Sequence, residues 1–316
     1  LLLVLGTLSF RLREAGIELP ILVLSEQPEA SLEAAVRHRL AVAVYSDEQI
    51  SALTAYGASN HPVHLKIDTG MRRVGAAEHQ AVGLADTIAA SPAVQLEGVF
   101  THLAVADEPE NPFTDHQLDR FDVVLASIAA AGHHPQLVHA ANSAGALAHP
   151  RSRYDMVRAG IVVYGISPGA GVDHLCTDLR PALSLHARVS HVKRLAAGEG
   201  ISYGLRHTFE RDTTVATLPL GYADGVPRRL HAVGGTVLVH GHRRPIVGAV
   251  TMDQMMIDCG DDHVQPGDEA VLIGSQGGHA ITAAEWADAL DTIAYEIVCG
   301  VSARVERRTV EPRPLD

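Results

Sequence analysis

Two arginines, Arg72 and Arg73, follow the stretch Val63-His-Leu-Lys-Ile-Asp68 across a break at Thr69–Gly70. Val63, Leu65 and Ile67 alternate with His64, Lys66 and Asp68, the period of a strand. In a parallel α/β fold the loops that leave strands at their C-terminal ends build the active site. A guanidinium in such a loop is a two-point clamp for a carboxylate, although on these residues alone a solvated loop with surface arginines reads equally well. Arg158 lies among Met156, Val157, Ile161 and Val162, and an arginine buried among apolar neighbours needs a partner. His102 follows the apolar run Gly98-Val-Phe-Thr101 and by itself reads as a core histidine. Asn142–Ser143 ends one apolar run and opens a segment of small residues. Hydroxyl and N–H groups at such a helix start hold phosphate or serve as an ordinary cap. Tyr203 sits in the glycine-flanked run Gly200-Ile-Ser-Tyr-Gly204. It is either a loop aromatic or an acid/base group, and a phenol with a pKa of about 10 needs help to act as a base at neutral pH.

The elements that position these residues alternate. Strands are expected at 20–25, 40–45, 63–68, 94–103, 137–140 and 156–164. Helices are expected at 31–39, 47–56 with Ser46 as cap, 76–90, 113–131 and 143–148. An earlier helix ends near Gly16. About six strand–helix units with nearly all-apolar strands imply a parallel sheet with helices outside. They read either as an open doubly wound sheet or as a (β/α)8 TIM-type barrel lacking its first one or two units, and the abrupt start favours the barrel. Beyond residue 175 the texture becomes mostly β, with short strands near 215–220, 235–239, 245–250, 255–258 and 269–273. A helix over 282–290 is opened by a capping box at Thr282 and Glu285, and a last strand is expected at 301–307. The domain division is 1–174, an N-terminally incomplete (β/α) barrel, and 175–316, a C-terminal β domain.

Composition narrows the field. At 316 residues with 47% hydrophobic content a sizeable core can form. A net charge of −12 argues against nucleic-acid or anionic-membrane surfaces. Three scattered cysteines, Cys176, Cys259 and Cys299, build neither a metal site nor a disulfide framework and point to a reducing cytoplasm. The apolar N-terminal run is too short to span a bilayer and lacks the flanks of a signal peptide. The His133–His134 pair and His240–Gly–His242 lack a convergent third ligand, so no metal is expected.

The chain resembles the alanine racemases, fold-type III pyridoxal-phosphate (PLP) enzymes with a (β/α)8 barrel and a C-terminal β domain. The resemblance runs from about Leu12 to Val310. It rests on HLKIDTGMRRVG, GVFTHLAVADEP, HAANSAGAL, YDMVRAGIVVYG, ISYG, LGYADGVPR, GAVTMDQMMID and TIAYEIVCGVSARV, in that order. It implies interconversion of L- and D-alanine, supplying D-alanine for peptidoglycan, by a two-base exchange of the Cα proton. It places Arg158 against the pyridine nitrogen, which an arginine keeps unprotonated, and His102 on the cofactor ring. Asn142, Ser143, Gly160, Ile161 and Tyr295 hold the phosphate. Tyr203 becomes one of two opposed bases, working from the partner subunit of a homodimer. Arg73 and Met252 meet the substrate carboxylate, and Tyr222 and Asp224 line the approach. In some relatives the lysine matching Lys66 is carbamylated.

One departure stands out. The lysine that carries the cofactor lies, in the family, in a K-A-D-A-Y-G-H-G-like segment, and no such segment occurs here. The only lysines are Lys66 and Lys193, which match other places. The expectation is therefore a chain that starts inside a larger protein and, as written, does not racemise alanine at an ordinary rate. A broad-specificity amino-acid racemase and a non-catalytic protein of the same fold are the alternatives.

Overall fold

The computed structural model describes residues 2–3 and 6–310. The N-terminal apolar run falls partly outside them, at Leu1, Val4 and Leu5. The chain forms two compact units, residues 1–163 with 167–179 and residues 164–166 with 180–316.

In the first unit β1 (Leu2–Leu3), β2 (Leu22–Val23), β3 (Ala41–Val44), β4 (His61–Lys66), β5 (Val94–Phe100) and β6 (Leu137–His139) form one parallel sheet in consecutive order. Between and after them run α1 (Gly6–Glu14), α2 (Glu29–Arg37), α3 (Asp47–Ala55), α4 (Ala81–Ala90), α5 (Phe113–Ala130) and α6 (Ser143–Ala148). Consecutive order is the topology of a singly wound barrel wall. A doubly wound sheet reverses its order at a switch point, so that alternative falls. Val63, Leu65 and Ile67 on β4 and just beyond it join a core with Leu53 of α3, Leu84 and Ile88 of α4, and Leu118 and Phe121 of α5, all buried. The opposite face of β4 is buried as well, and it is polar: His64 and Lys66 are only 1% and 5% exposed. Ser46 caps α3 by accepting the Gln49 N–H at 3.2 Å, as the sequence predicts.

Three expectations fail. Residues 156–164 form no strand. The segment joins the end of β6 through only two backbone bonds, Asp155 N to Val138 O and Arg158 N to Ala141 O. It then turns into a short 3-10 helix at Ile161–Tyr164 and leaves through Gly165 at φ 72°. Arg158 is therefore on a connection without regular secondary structure, not on a barrel strand. Residues 301–307 form no strand either. The Arg307 guanidinium donates to the carbonyls of Val301, Ser302 and Val305, so the segment curls on itself. The capping box at Thr282 is half made. Thr282 accepts the Glu285 N–H at 3.0 Å, but the Glu285 carboxylate is taken by Arg243.

The second unit is mostly β. Its strands are β7 (Leu185–Arg188), β8 (His191–Leu195), β9 (Gly200–Ile201), β10 (His207–Thr208), β11 (Thr213–Leu218), β12 (Thr236–Val239), β13 (His242–Val247), β14 (Met255–Gly260), β15 (Glu269–Gln276) and β16 (His279–Ile281). The main sheet has the order β16-β15-β12-β13-β14-β11-β8, with β7 paired to β15 and β9–β10 a separate hairpin. Two helices follow, α7 (Ala283–Leu290) and α8 (Ala294–Gly300). The sequence pattern does not anticipate α8. No helix among the described residues is long and apolar enough to cross a membrane.

Candidate active site

The polar face of the first unit's sheet is built by register. Lys66 is the cross-strand partner of Phe100, and Phe100 of His139, so the three side chains share one face. The Phe100 and His139 rings stack with centroids 4.6 Å apart. The Lys66 ammonium and the Arg158 guanidinium lie 5.5 and 5.3 Å from the Phe100 ring centroid, within cation–π range. The β4–β5 register slips between Val63 and His64, skipping Glu97. Such a bulge re-aims a side chain, and Glu97 Oε2 comes to 3.0 Å from His64 Nε2.

Arg158, 6% exposed, is the hub. Its Nη1 donates to His139 Nδ1 at 2.6 Å. Its Nη2 lies 2.7 Å from both the Thr101 and Ala140 carbonyls and 3.2 Å from His102 Nδ1. Because a guanidinium only donates and a carboxylate only accepts, the chemistry of both ends orders the protons between them. His139 accepts at Nδ1 and donates from Nε2 to His64 Nδ1 at 2.9 Å, and His64 donates from Nε2 to Glu97. The same rule makes His102 Nδ1 an acceptor. Burial, then the charges of Arg158, Arg73 and Lys66, hold His102 down to about 3, so it is neutral at physiological pH. Burial followed by Arg158 pushes His139 in the same direction. Hydrogen bonding from His64 lowers the Glu97 carboxyl, in keeping with its role as the terminal acceptor.

The loop after β4 brings a third cation. Asp68 Oδ1 accepts the N–H groups of Gly70 and Arg72 at 2.9 and 3.0 Å, and Ala76 bonds back to Asp68 N and Lys66 O. Arg72 and Arg73 are both exposed. Only Arg73 is close enough for its charge to bear on Lys66 and His102. Burial, aided by Arg73 and Arg158, brings the Lys66 amine down to about 8 against the pull of Asp68. This cationic face is suited to an anionic group such as a carboxylate. Beside it, Asn142 Oδ1 accepts Gly145 N at 2.9 Å to cap α6, and Ser143 Oγ accepts Gly160 N at 2.8 Å. Asn142, Ser143, Gly160 and the buried Ile161 are thus brought together.

In the second unit Tyr203 and Met252 are 75% and 52% exposed. They line one groove of about 460 Å³ with Tyr222, Arg228 and Gln254. An adjoining groove of about 720 Å³ runs from Tyr203 to Lys193. The Tyr203 turn is held open by left-handed backbone at Ser202, Gly204 and Leu205, and Ser202 Oγ anchors it to the Ala249 carbonyl. Asp224 is structural: its carboxylate accepts Gly221 N and faces Arg304. Tyr295 lies half-buried on α8. His133 and His240 each pair with an aspartate, Asp86 and Asp268. Sequence reasoning missed His64, Glu97, Phe100 and His139. The available signal was polar residues at every second position of β4, facing a histidine at the end of β6.

A cofactor can be tested against these residues. Arg158 Nε is buried and has no hydrogen-bond partner, whereas the terminal nitrogens are all engaged. A buried donor without a partner is costly, and an unprotonated ring nitrogen is the acceptor it lacks. The described residues of the first unit therefore fit a pyridine ring with an anionic substituent.

A parallel sheet wound in one direction and carrying an arginine hub, followed in the chain by a β domain, is the arrangement that the resemblance to the alanine racemases implies. The comparisons carry this further. The alanine racemase N-terminal domain matches residues 8–168 and the alanine racemase C-terminal domain residues 182–309. The alanine racemase of Symbiobacterium thermophilum is 51% identical over 300 residues, covering 94% of this chain and 79% of that protein. That of Thermobifida fusca is 44% identical, covering 95% and 81%. Among solved structures, alanine racemase from Streptomyces lavendulae matches with a TM-score of 0.89 at 38% identity, covering 96% and 81%. The Bacillus anthracis enzyme with bound L-Ala-P matches at 0.88 and 40%, covering 94% and 77%. The chain belongs to the alanine racemase family.

Proposed function

We propose that this chain interconverts L- and D-alanine with pyridoxal phosphate, the activity of its family, that the residues described above do the work, and that its rate is far below an ordinary one because its sequence contains no cofactor-bearing lysine segment. The observation that carries this reading is the unpartnered, buried Nε of Arg158. When bound, the cofactor supplies a conjugated electron sink that acidifies the Cα–H bond. Arg158 donates to the pyridine nitrogen and leaves it unprotonated, which restrains the sink and limits side reactions. His102, neutral, packs on the ring. Asn142, Ser143, Gly160, Ile161 and Tyr295 hold the phosphate. Arg73 and Met252 orient the substrate carboxylate. Tyr203 moves the Cα proton on one face, acting in a homodimer whose active sites are shared between subunits.

In the family the base on the other face is the lysine that carries the cofactor. Neither Lys66 nor Lys193 lies in a matching segment. We assign Lys66 to the cationic face that it shares with Arg73 and Arg158, and its amine near 8 makes it a candidate for carbamylation, which would turn that cation into an anionic partner for the arginines. We further propose that residues 1–174 and 175–316 are the folding domains and that the protein is cytoplasmic, which three free cysteines support.

The test combines cofactor titration with alanine racemisation. Arg158→Met should weaken pyridoxal-phosphate binding and lower turnover by about 10²–10³-fold, the scale of losing one aimed donor. Unchanged affinity and turnover would sink the assignment. Borohydride reduction followed by peptide mapping should leave Lys66 and Lys193 unlabelled. An adduct on Lys66 would relocate the cofactor's attachment and its base.

A further inference from the structure

The outer helix α5 sends one polar side chain inward. Gln117 is 0% exposed, as are Thr69 and Thr101. Its Oε1 accepts the Ala104 N–H at 2.8 Å. Its Nε2 donates to the His102 carbonyl at 3.1 Å and approaches the Thr69 hydroxyl at 3.4 Å. The Thr69 and Thr101 hydroxyls are themselves bonded at 2.8 Å. Three contacts from one amide thus reach two different loops, the one after β4 that leads to Arg73 and the one after β5 that carries His102.

A buried primary amide needs its donors and its acceptor satisfied. The Ala104 N–H, the His102 carbonyl and the Thr69 hydroxyl together meet that need, so the loops must hold these positions for Gln117 to be buried without an unsatisfied group. The constraint runs both ways. Gly70 belongs to the same arrangement: a Cβ there would lie 2.8 Å from the Phe113 ring and 3.2 Å from Gln117 Cγ. Thr101 supplies the link to the hub, because its hydroxyl meets Thr69 while its carbonyl accepts from Arg158 at 2.7 Å. Among the described residues no hydrogen bond joins Gln117 to the His102 ring or to the Arg158 guanidinium. Gln117 acts on the backbone behind both.

We propose that Gln117 is a positioning residue that locks the β4 and β5 loops in one register, fixing His102 and the Thr101 carbonyl that receives Arg158. The inference rests on the cofactor reading above. Gln117→Met keeps the shape and removes every hydrogen bond. Gln117→Glu keeps the acceptor for Ala104 and removes the two donors. Leu118→Ala, one residue along in the apolar core, is the control for plain destabilisation.

The readouts are melting temperature, pyridoxal-phosphate affinity with the visible circular dichroism of the bound cofactor, and hydrogen exchange of peptides covering 68–75 and 101–106 in the cofactor-free protein. Gln117→Met should weaken cofactor binding roughly tenfold, the equivalent of one to two lost hydrogen bonds. It should also alter the dichroism and speed exchange in both peptides. Gln117→Glu should keep Ala104 protected and fall between Gln117→Met and the parent. Leu118→Ala should lower the melting temperature at least as far while leaving affinity and dichroism unchanged. A silent Gln117→Met beside an Arg158→Met that abolishes binding overturns the inference alone. The same dichroic change in Leu118→Ala also overturns it. An Arg158→Met that binds cofactor normally overturns the cofactor reading and the inference with it.

Discussion

Gly98 shows how a single missing atom serves the site. A Cβ at this position would lie 2.3 Å from His64 Nδ1, the atom that accepts from His139. Gly98 leaves room for the His64 ring to lie across β5 and reach β6. Gly98→Ala should expel the ring and break the run of hydrogen bonds from Arg158 to Glu97. Overpacking of this kind costs about 1–3 kcal/mol, read as a lower urea midpoint, with a matching loss of alanine turnover. Gly83, where a Cβ meets nothing within 4 Å, is the control site: it lies within α4, so its alanine variant should raise stability by about 0.5–1 kcal/mol and leave turnover unchanged. His102 makes a pH prediction. Its folded-state pKa of about 3 lies below the ordinary histidine value of 6.5, so the unfolded chain takes up the proton first. Stability from this group must rise with pH between about 3 and 6.5 and be lost on acidification through that window. Urea midpoints measured from pH 4 to 7 should show a slope that His102→Gln reduces. An unchanged slope in that variant would place the acid sensitivity elsewhere.

At the scale of elements, local rules decide more than the site does. Thr282 caps α7 through Glu285 N. Thr282→Ala should cost about 1 kcal/mol, the usual loss of an N-cap, seen as a lower melting temperature with kcat unaltered. The helices α3, α5 and α6 and the strand β3 were legible because each carries a period, a cap or an apolar run bounded by breakers. The chain at 156–164 was not, because an apolar run of strand length is also what a buried connection looks like. What settles the difference there is that the chain makes one bond to β6, from Asp155 N to Val138 O, and one just past it, from Arg158 N to Ala141 O, rather than a ladder. For the same reason the strand reading failed at 301–307, where Arg307 claims the carbonyls. The site divides similarly. Arg158, His102 and the Asn142–Ser143 cap were readable from motif and resemblance. His64, Glu97 and Gln117 were not, since their roles depend on a one-residue bulge, a cross-strand register and the inward aim of one helical side chain.

The whole molecule carries a charge of −12, yet the inner face of its first unit concentrates Lys66, Arg73 and Arg158 around buried neutral histidines. Such a field favours an anionic ligand over the protein's own acidic surface. In the second unit Tyr203 and Met252 stand exposed on a groove that Arg228 also lines. If active sites are shared in a homodimer, the two sets of residues must come from different subunits, and mixing distinguishes this from a site built within one chain. Arg158→Met and Tyr203→Phe should each be nearly inactive alone. Random exchange of subunits in an equal mixture makes about half of the dimers mixed, and in a two-fold assembly each of these has one site lacking both groups and one site intact. Racemisation should then recover to about a quarter of the parent rate, reached on the timescale of subunit exchange. In a chain whose Tyr203 served its own Arg158, every site in the mixture would lack one of the two groups, and the mixture would stay as inactive as its components.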